Sequence, residues 1–175
     1  FKPRDVDAMT AHVDLYPTLA ELAGATIPET ARDLLDGISL LPLLESRGDE
    51  TPYNERFLVS HRARWITNPD DHKNSYVSLR WGSCQLININ WDCGNDACKD
   101  CRSRRDQMAA GVGAYTQNPA KHHKTTDGWE LYDLSNDIGQ DHNIAVQHPE
   151  WVDRLSKAYD QWWKDVRPMM INEPK

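Results

Sequence analysis

Trp129–Pro149, WELYDLSNDIGQDHNIAVQHP, is the stretch on which the reading of the whole chain turns. Glu130-Leu131-Tyr132-Asp133-Leu134 alternates polar and apolar residues, the pattern of a half-buried strand. Ser135-Asn136-Asp137-Ile138-Gly139 is turn chemistry, since Asn, Asp and Ser bond their own backbone and Gly adopts left-handed angles freely. Asn143-Ile144-Ala145 then leads to His148-Pro149-Glu150, a proline at the head of an amphipathic run. The stretch therefore predicts strand, turn and helix in succession.

Downstream, Val152, Leu155, Tyr159, Trp162, Trp163 and Val166 recur at helical spacing. They predict a helix over 150–166 that covers one face of a sheet, with Pro168 ending it. Upstream, Arg56–His61, Tyr76–Arg80 and Gln85–Ile89 read as three further strands. The short Gly82-Ser83 connection makes the last two a hairpin. Asn68–Asn74 is a loop, and residues 91–128 form a long aperiodic insertion before the final strand. The fold class is α+β: a small antiparallel sheet of about four strands packed by a long C-terminal helix.

The first third of the chain reads differently. Asp14–Gly24 is a short helix: Asp14 can cap it, Pro17 suits its first turn and Gly24 ends it. Leu15, Leu19 and Leu22 share a face, the mark of a packed helix. Asp36-Gly37 is a turn, and Ser39 can cap a short apolar helix over Leu40–Leu44. Glu45–Asn54, with Gly48 and Pro52, reads as a linker, which divides the chain into 1–50 and 51–175.

Composition narrows the function. A net charge of −7 and a pI near 5.4 argue against a broad nucleic-acid surface. Mean hydropathy is −0.74, and no apolar run approaches the roughly 20 residues of a membrane helix, so neither nucleic acid nor membrane is an expected partner. Seven Trp and six Tyr supply large buried areas for a chain of 175 residues. The Phe1-Lys2-Pro3 start lacks an initiator Met and reads as an internal or processed end, so a missing leader says nothing about secretion.

Three constellations bear on chemistry. Cys93, Cys98 and Cys101 have C-x4-C-x2-C spacing, with Cys84 nine residues earlier and His122 and His123 downstream. Two disulfides in an oxidising compartment, a structural zinc, and free or mixed thiols are the readings that suit this set, and the first two would staple the insertion. His61, Arg62 and Arg64 beside Trp65 suit a sulfated sugar, because cations pair with sulfate and a ring packs on a pyranose; a solvated strand end has the same composition. Arg102, Arg104, Arg105, Lys121 and Lys124 form a second basic cluster, an anion-holding surface or a solvated loop. No G-x-S-x-G, P-loop or HExxH motif is present.

The literal strings add more than their patterns. Leu131-Tyr132-Asp133-Leu134, Asp137, Asn143 and Ala145 resemble the "ELYDL-x-x-D-x-x-E-x-x-N-L-A" segment near the C-terminus of the sulfatase family, within the alkaline-phosphatase-like superfamily. Gln140 stands where the family often has Glu, and Ile138 where it often has Pro. Val13, Asp14, Pro17, Thr18, Leu19, Leu22, Ala23 and Gly24 resemble its "V-D-x-x-P-T-L-x-x-L-A-G". Asp36-Gly37-Ile38-Ser39-Leu40-Leu41-Pro42-Leu43-Leu44 resembles "D-G-x-S-L-x-P-L-L", and Arg80–Ile87 is similar to a hairpin "R-x-G-x-W-K-L-I".

The resemblance implies that residues 1–50 end the main α/β sulfatase domain and that 51–175 form its C-terminal subdomain. It implies hydrolysis of sulfate monoesters by a formylglycine made from Cys or Ser, beside a divalent cation, usually calcium. None of the four cysteines sits in a C/S-x-P-S/A-R motif, so no catalytic or metal residue transfers to this chain. The expected partners are the remainder of a sulfatase chain and a sulfated small molecule or glycan, contacted through His61, Arg62 and Arg64. The expected compartment is periplasmic, extracellular or otherwise secretory. A non-catalytic module for sulfated glycans and a phosphate-ester hydrolase of the same superfamily are the alternatives.

Overall fold

The computed structural model describes residues 5–45, 49–61, 69–74, 76–88, 102–103, 106 and 128–170. The chain divides into two compact units, 1–58 and 59–175, where the sequence suggested a boundary near residue 50.

In the first unit a 3-10 turn, His12–Asp14, runs directly into α1 (Leu15–Leu22). Gly24 closes the helix at φ +63, a left-handed value that glycine adopts without strain. Single helical turns follow: α2 (Glu29–Arg32), α3 (Leu41–Leu44) and α4 (Thr51–Asn54). Ser39 Oγ accepts from the Leu41 amide at 3.3 Å, but Leu40 stands at the cap position of α3 and no side chain caps it, so Ser39 closes the preceding turn rather than capping the helix as the pattern predicted.

Asp14 does not cap α1 as expected. Its carboxylate turns back to accept the Ala11 amide at 2.7 Å and reaches across to the Ile38 amide at 2.9 Å. Thr18 continues the link: its hydroxyl donates to the Asp14 carbonyl at 2.6 Å and accepts the Leu40 amide at 2.8 Å. The 36–40 turn thus satisfies its backbone on the side chains of α1 and the turn before it. Gly37 permits this approach, since a Cβ there would lie 2.0 Å from the Val13 carbonyl oxygen.

Two further expectations are corrected. Leu15, Leu19 and Leu22 are 54%, 62% and 58% exposed, so α1 buries Pro17 and Thr18 rather than its leucine stripe. Glu45–Asn54 is more than a linker: α4 buries Tyr53, whose hydroxyl donates to the Ser39 carbonyl at 2.6 Å. Ala8, Leu43 and Tyr53 make the small core of this unit.

The second unit is a four-stranded antiparallel sheet in the order β1-β2-β3-β4. Its strands are β1 (Leu58–His61), β2 (Val77–Trp81), β3 (Cys84–Asn88) and β4 (Glu130–Asp133). The β2–β3 hairpin turns through Gly82 at φ +55, with Trp81 opposite Cys84 and Val77 opposite Asn88. In the next pair Cys84 faces Asp133 and Ile87 faces Glu130.

One sheet face carries Val77, Leu79, Cys84, Leu86 and Leu131 against Leu155, Tyr159 and Trp163 of α5 (Pro149–Met170), with Trp129 and Ala145 completing the core. Leu79, Leu86, Leu131, Leu155 and Tyr159 have no exposed surface. Each such side chain contributes about 1.5–3 kcal/mol by leaving water. Pro168 does not end the helix, which continues to Met170 with proline in its last turn. The insertion 91–128 lies outside the described residues apart from 102–103, 106 and 128.

Candidate functional site

The segment that leaves β1 is the one to which charge and aromatic patterning assigned substrate contact. His61 closes β1, and its imidazole packs against α5. Its ring centroid lies 5.2 Å from that of Trp163, edge-on, 6.1 Å from Trp162 and 6.3 Å from Tyr159. Arg62 and Arg64 lie outside the described residues.

The chain is described again at Pro69–His72, a 3-10 turn also held by α5. Asp70 accepts Arg167 Nε at 2.5 Å, pairs with Arg167 Nη2 as well, and accepts Trp163 Nε1 at 3.4 Å. The Arg167 hydrogen bonds hold the Asp70 carboxyl below its ordinary range. Lys73 Nζ reaches Asp160 at 2.5 Å, and the Lys73 carbonyl accepts the Tyr159 hydroxyl. Burial, then the Asp160 charge, push that phenol above its usual value. One helix therefore supports both flanks of 62–68.

Sequence reading missed these contacts. Arg167 lies 97 positions from Asp70, and no local period links them. The one available signal was opposite charge: acidic residues at 70 and 160, basic ones at 73 and 167.

Cys84 is a free thiol in the core, 3% exposed. Burial and the neighbouring Asp133 charge push its pKa up, which suits an inert packing group. Cys93, Cys98 and Cys101 lie outside the described residues, as do His122, His123, Arg104, Arg105, Lys121 and Lys124. Arg102 is exposed. Among the described residues, no three His, Cys, Asp or Glu side chains are grouped to hold a metal ion.

The residues of the 129–149 string have structural work to do. Asn143 Oδ1 accepts the Leu131 amide at 3.1 Å and the Ala145 amide at 3.0 Å, while Ile144 N donates to the Leu131 carbonyl at 2.8 Å. The returning loop thus pairs with β4. Asp133 accepts the Ser135 amide and hydroxyl and the Asn136 amide group, which hold its carboxyl at about 2. Asp137 closes the next turn by accepting the Asp141 and His142 amides at 3.0 and 2.8 Å. Glu130 and Tyr132 are both buried, 2.6 Å apart. Burial and that hydrogen bond push the Tyr132 phenol far up.

These are the architecture and turns of a known fold. The chain superposes on the crystal structure of Ps i-CgsB with TM-score 0.52, over 85% of this chain and 23% of that one, at 19% identity. It superposes on BT1596, described as a 2-O GAG sulfatase, with TM-score 0.53, over 98% of this chain and 28% of that one, at 16% identity. The fold is that of the C-terminal portion of a sulfatase.

Sequence comparison agrees. The ulvan-active sulfatase of Formosa agariphila is 26% identical over 93% of this chain. Arylsulfatase K of Mus musculus is 27% identical over 97% of it. The sulfatase-like chain spans 30% and 23% of the lengths of these relatives. No family model matches it.

Proposed function

We propose that this chain is the C-terminal part of a sulfatase that hydrolyses sulfate monoesters of a sulfated carbohydrate, acting in a periplasmic, extracellular or other secretory setting. The formylglycine and its calcium belong, on this reading, to sequence upstream of Phe1, and the segment alone is inactive. His61, Arg62 and Arg64 contact the substrate, the two guanidinium groups pairing with sulfate.

The observation that carries the reading is the coincidence of fold and turn chemistry: the β4–turn–α5 unit built on Asn143, Asp133 and Asp137 within a sulfatase fold. An ulvan-active relative among the similar proteins supports a carbohydrate. The remainder of a sulfatase chain is the natural cover for α1. That helix exposes Leu15, Tyr16, Leu19 and Leu22 at 54%, 54%, 62% and 58%, a stripe that costs solvation free energy in water.

The test is an assay of the full gene product from its natural source, following sulfate release from ulvan oligosaccharides and phosphate release from aryl phosphates. Sulfate release, with KM raised about tenfold or more by R62A/R64A and kcat little changed, is the expected result. Phosphate release alone would transfer the chain to the phosphate-ester branch. Binding of sulfated glycan without turnover would make it a non-catalytic module.

A further inference from the structure

His61, Trp163, Asp70 and Arg167 form one connected set of side chains, all within the second unit. The Trp163 indole is 4% exposed and meets the His61 imidazole edge-on, with ring centroids 5.2 Å apart and planes at 75°. Its Nε1 donates to Asp70 Oδ1 at 3.4 Å. The same oxygen accepts Arg167 Nε at 2.5 Å, and Asp70 Oδ2 accepts Arg167 Nη2. The Asp70 and Arg167 side chains are 43% and 35% exposed, so the set runs from a buried ring to a solvent-facing ion pair. Trp162 and Tyr159 bound His61 at 6.1 and 6.3 Å, and the Tyr159 hydroxyl is itself tied to the Lys73 carbonyl.

We infer that Arg167 is a positioning residue for the substrate contact proposed at His61, acting through Asp70 and Trp163. The inference rests on the proposed function and deepens it at the same site. Apolar burial has no direction, so it would hold an indole at position 163 with either edge toward His61. The indole N–H bond to Asp70 distinguishes the two edges and sets which one the imidazole meets. Asp70 can hold that N–H only while its own carboxylate is fixed, and the two-pronged guanidinium contact fixes it. Freeing Asp70 would release the indole, and the imidazole would lose the ring edge against which it is set. A contact group set loosely binds less well without altering the bond-breaking step, so Arg167 acts on KM rather than kcat.

The experiment is a double-mutant cycle in the full gene product, following sulfate release from ulvan oligosaccharides. H61A should raise KM. R167M and D70N should each raise it about three- to fivefold, the scale of an ion pair this exposed, with kcat little changed. R167K, which keeps the charge but not the fork, should recover part of the loss. In the H61A background R167M should add nothing, because its effect passes through that imidazole. K157M, which breaks the Lys157–Asp153 pair on the same helix, should leave both constants unchanged. Multiplying effects of H61A and R167M on KM overturn the inference, as does an R167M enzyme whose KM matches the parent. A fall in kcat that tracks a lowered thermal midpoint in R167M marks a merely structural residue and overturns it too. Absent sulfate release, or an unchanged KM in both H61A and R62A/R64A, is failure of the catalytic or substrate-contact reading and removes this inference with it. A raised KM in H61A with none in R167M is failure of the positioning role alone.

Discussion

The Asp14 carboxylate accepts both terminal nitrogens of Arg56, each at 2.6 Å, across 42 positions of sequence. Asp14 is fully buried and the Arg56 side chain 11% exposed. Burial raises the Asp14 pKa, but the Arg56 hydrogen bond and the Ile38 and Ala11 amides outweigh it, so the group ionises more readily than usual. Arg56 also donates to the Met9 carbonyl at 2.9 Å, and Met9 N donates to Asn54 at 2.9 Å. One ion pair thus gathers the turn before α1, the 36–40 turn and the segment leaving α4.

Removing one partner strands a buried charge. R56M and D14N should each cost about 3–5 kcal/mol in urea unfolding, whereas a surface pair such as Lys157–Asp153 should cost under about 1 kcal/mol. Because the folded pKa of Asp14 is depressed, its contribution is complete above the unfolded value of 3.8 and is lost as pH falls through the folded value. The acid limb of the stability curve should therefore flatten in D14N.

Gly37 should accept no side chain. A Cβ there meets the Val13 carbonyl carbon at 2.6 Å as well as its oxygen, and both are backbone. G37A should destabilise by about 1–3 kcal/mol or displace the 36–40 turn, read by the thermal midpoint and by loss of hydrogen-exchange protection at Ile38 and Leu40.

Asn143 should tolerate aspartate better than alanine. N143A leaves the Leu131 and Ala145 amides without their acceptor, at about 1–3 kcal/mol, while N143D keeps an oxygen in place. A ranking in urea denaturation with alanine as stable as the parent would contradict this account of the loop.

Asp133 should titrate near 2 in carboxyl-detected NMR, with the Ser135 hydroxyl and amide as the main cause and Asn136 adding to it. Its share of stability is present above the unfolded value of 3.8 and fades as pH falls to about 2. S135A should raise the midpoint toward that ordinary value.

Local physics was readable wherever neighbours in sequence are neighbours in space. The Gly82-Ser83 hairpin, the turn over Ser135–Gly139 and the α5 stripe of Leu155, Tyr159 and Trp163 depend on spacings of a few residues, and pattern alone located them. The likeness to sulfatases was also legible, because it resides in literal strings. The roles of Asp14, Thr18 and Gly37 were not. Asp14 was assigned a cap and Gly37 a turn, and Thr18 was only a position within a helix, yet they serve contacts 22 to 42 positions away, or a close backbone approach. The exposure of Leu15, Leu19 and Leu22 was likewise invisible, since periodicity shows that a helix has an apolar face and not whether anything covers it. The support that α5 gives to His61 and Asp70 was decided by tertiary structure as well, because it joins residues whose separation in sequence carries no period. Sequence by itself determined the strands of the sheet, the long helix that covers them and the family likeness; tertiary structure decided which polar side chains are buried together, since burial and ion pairing depend on distances that only the folded chain creates.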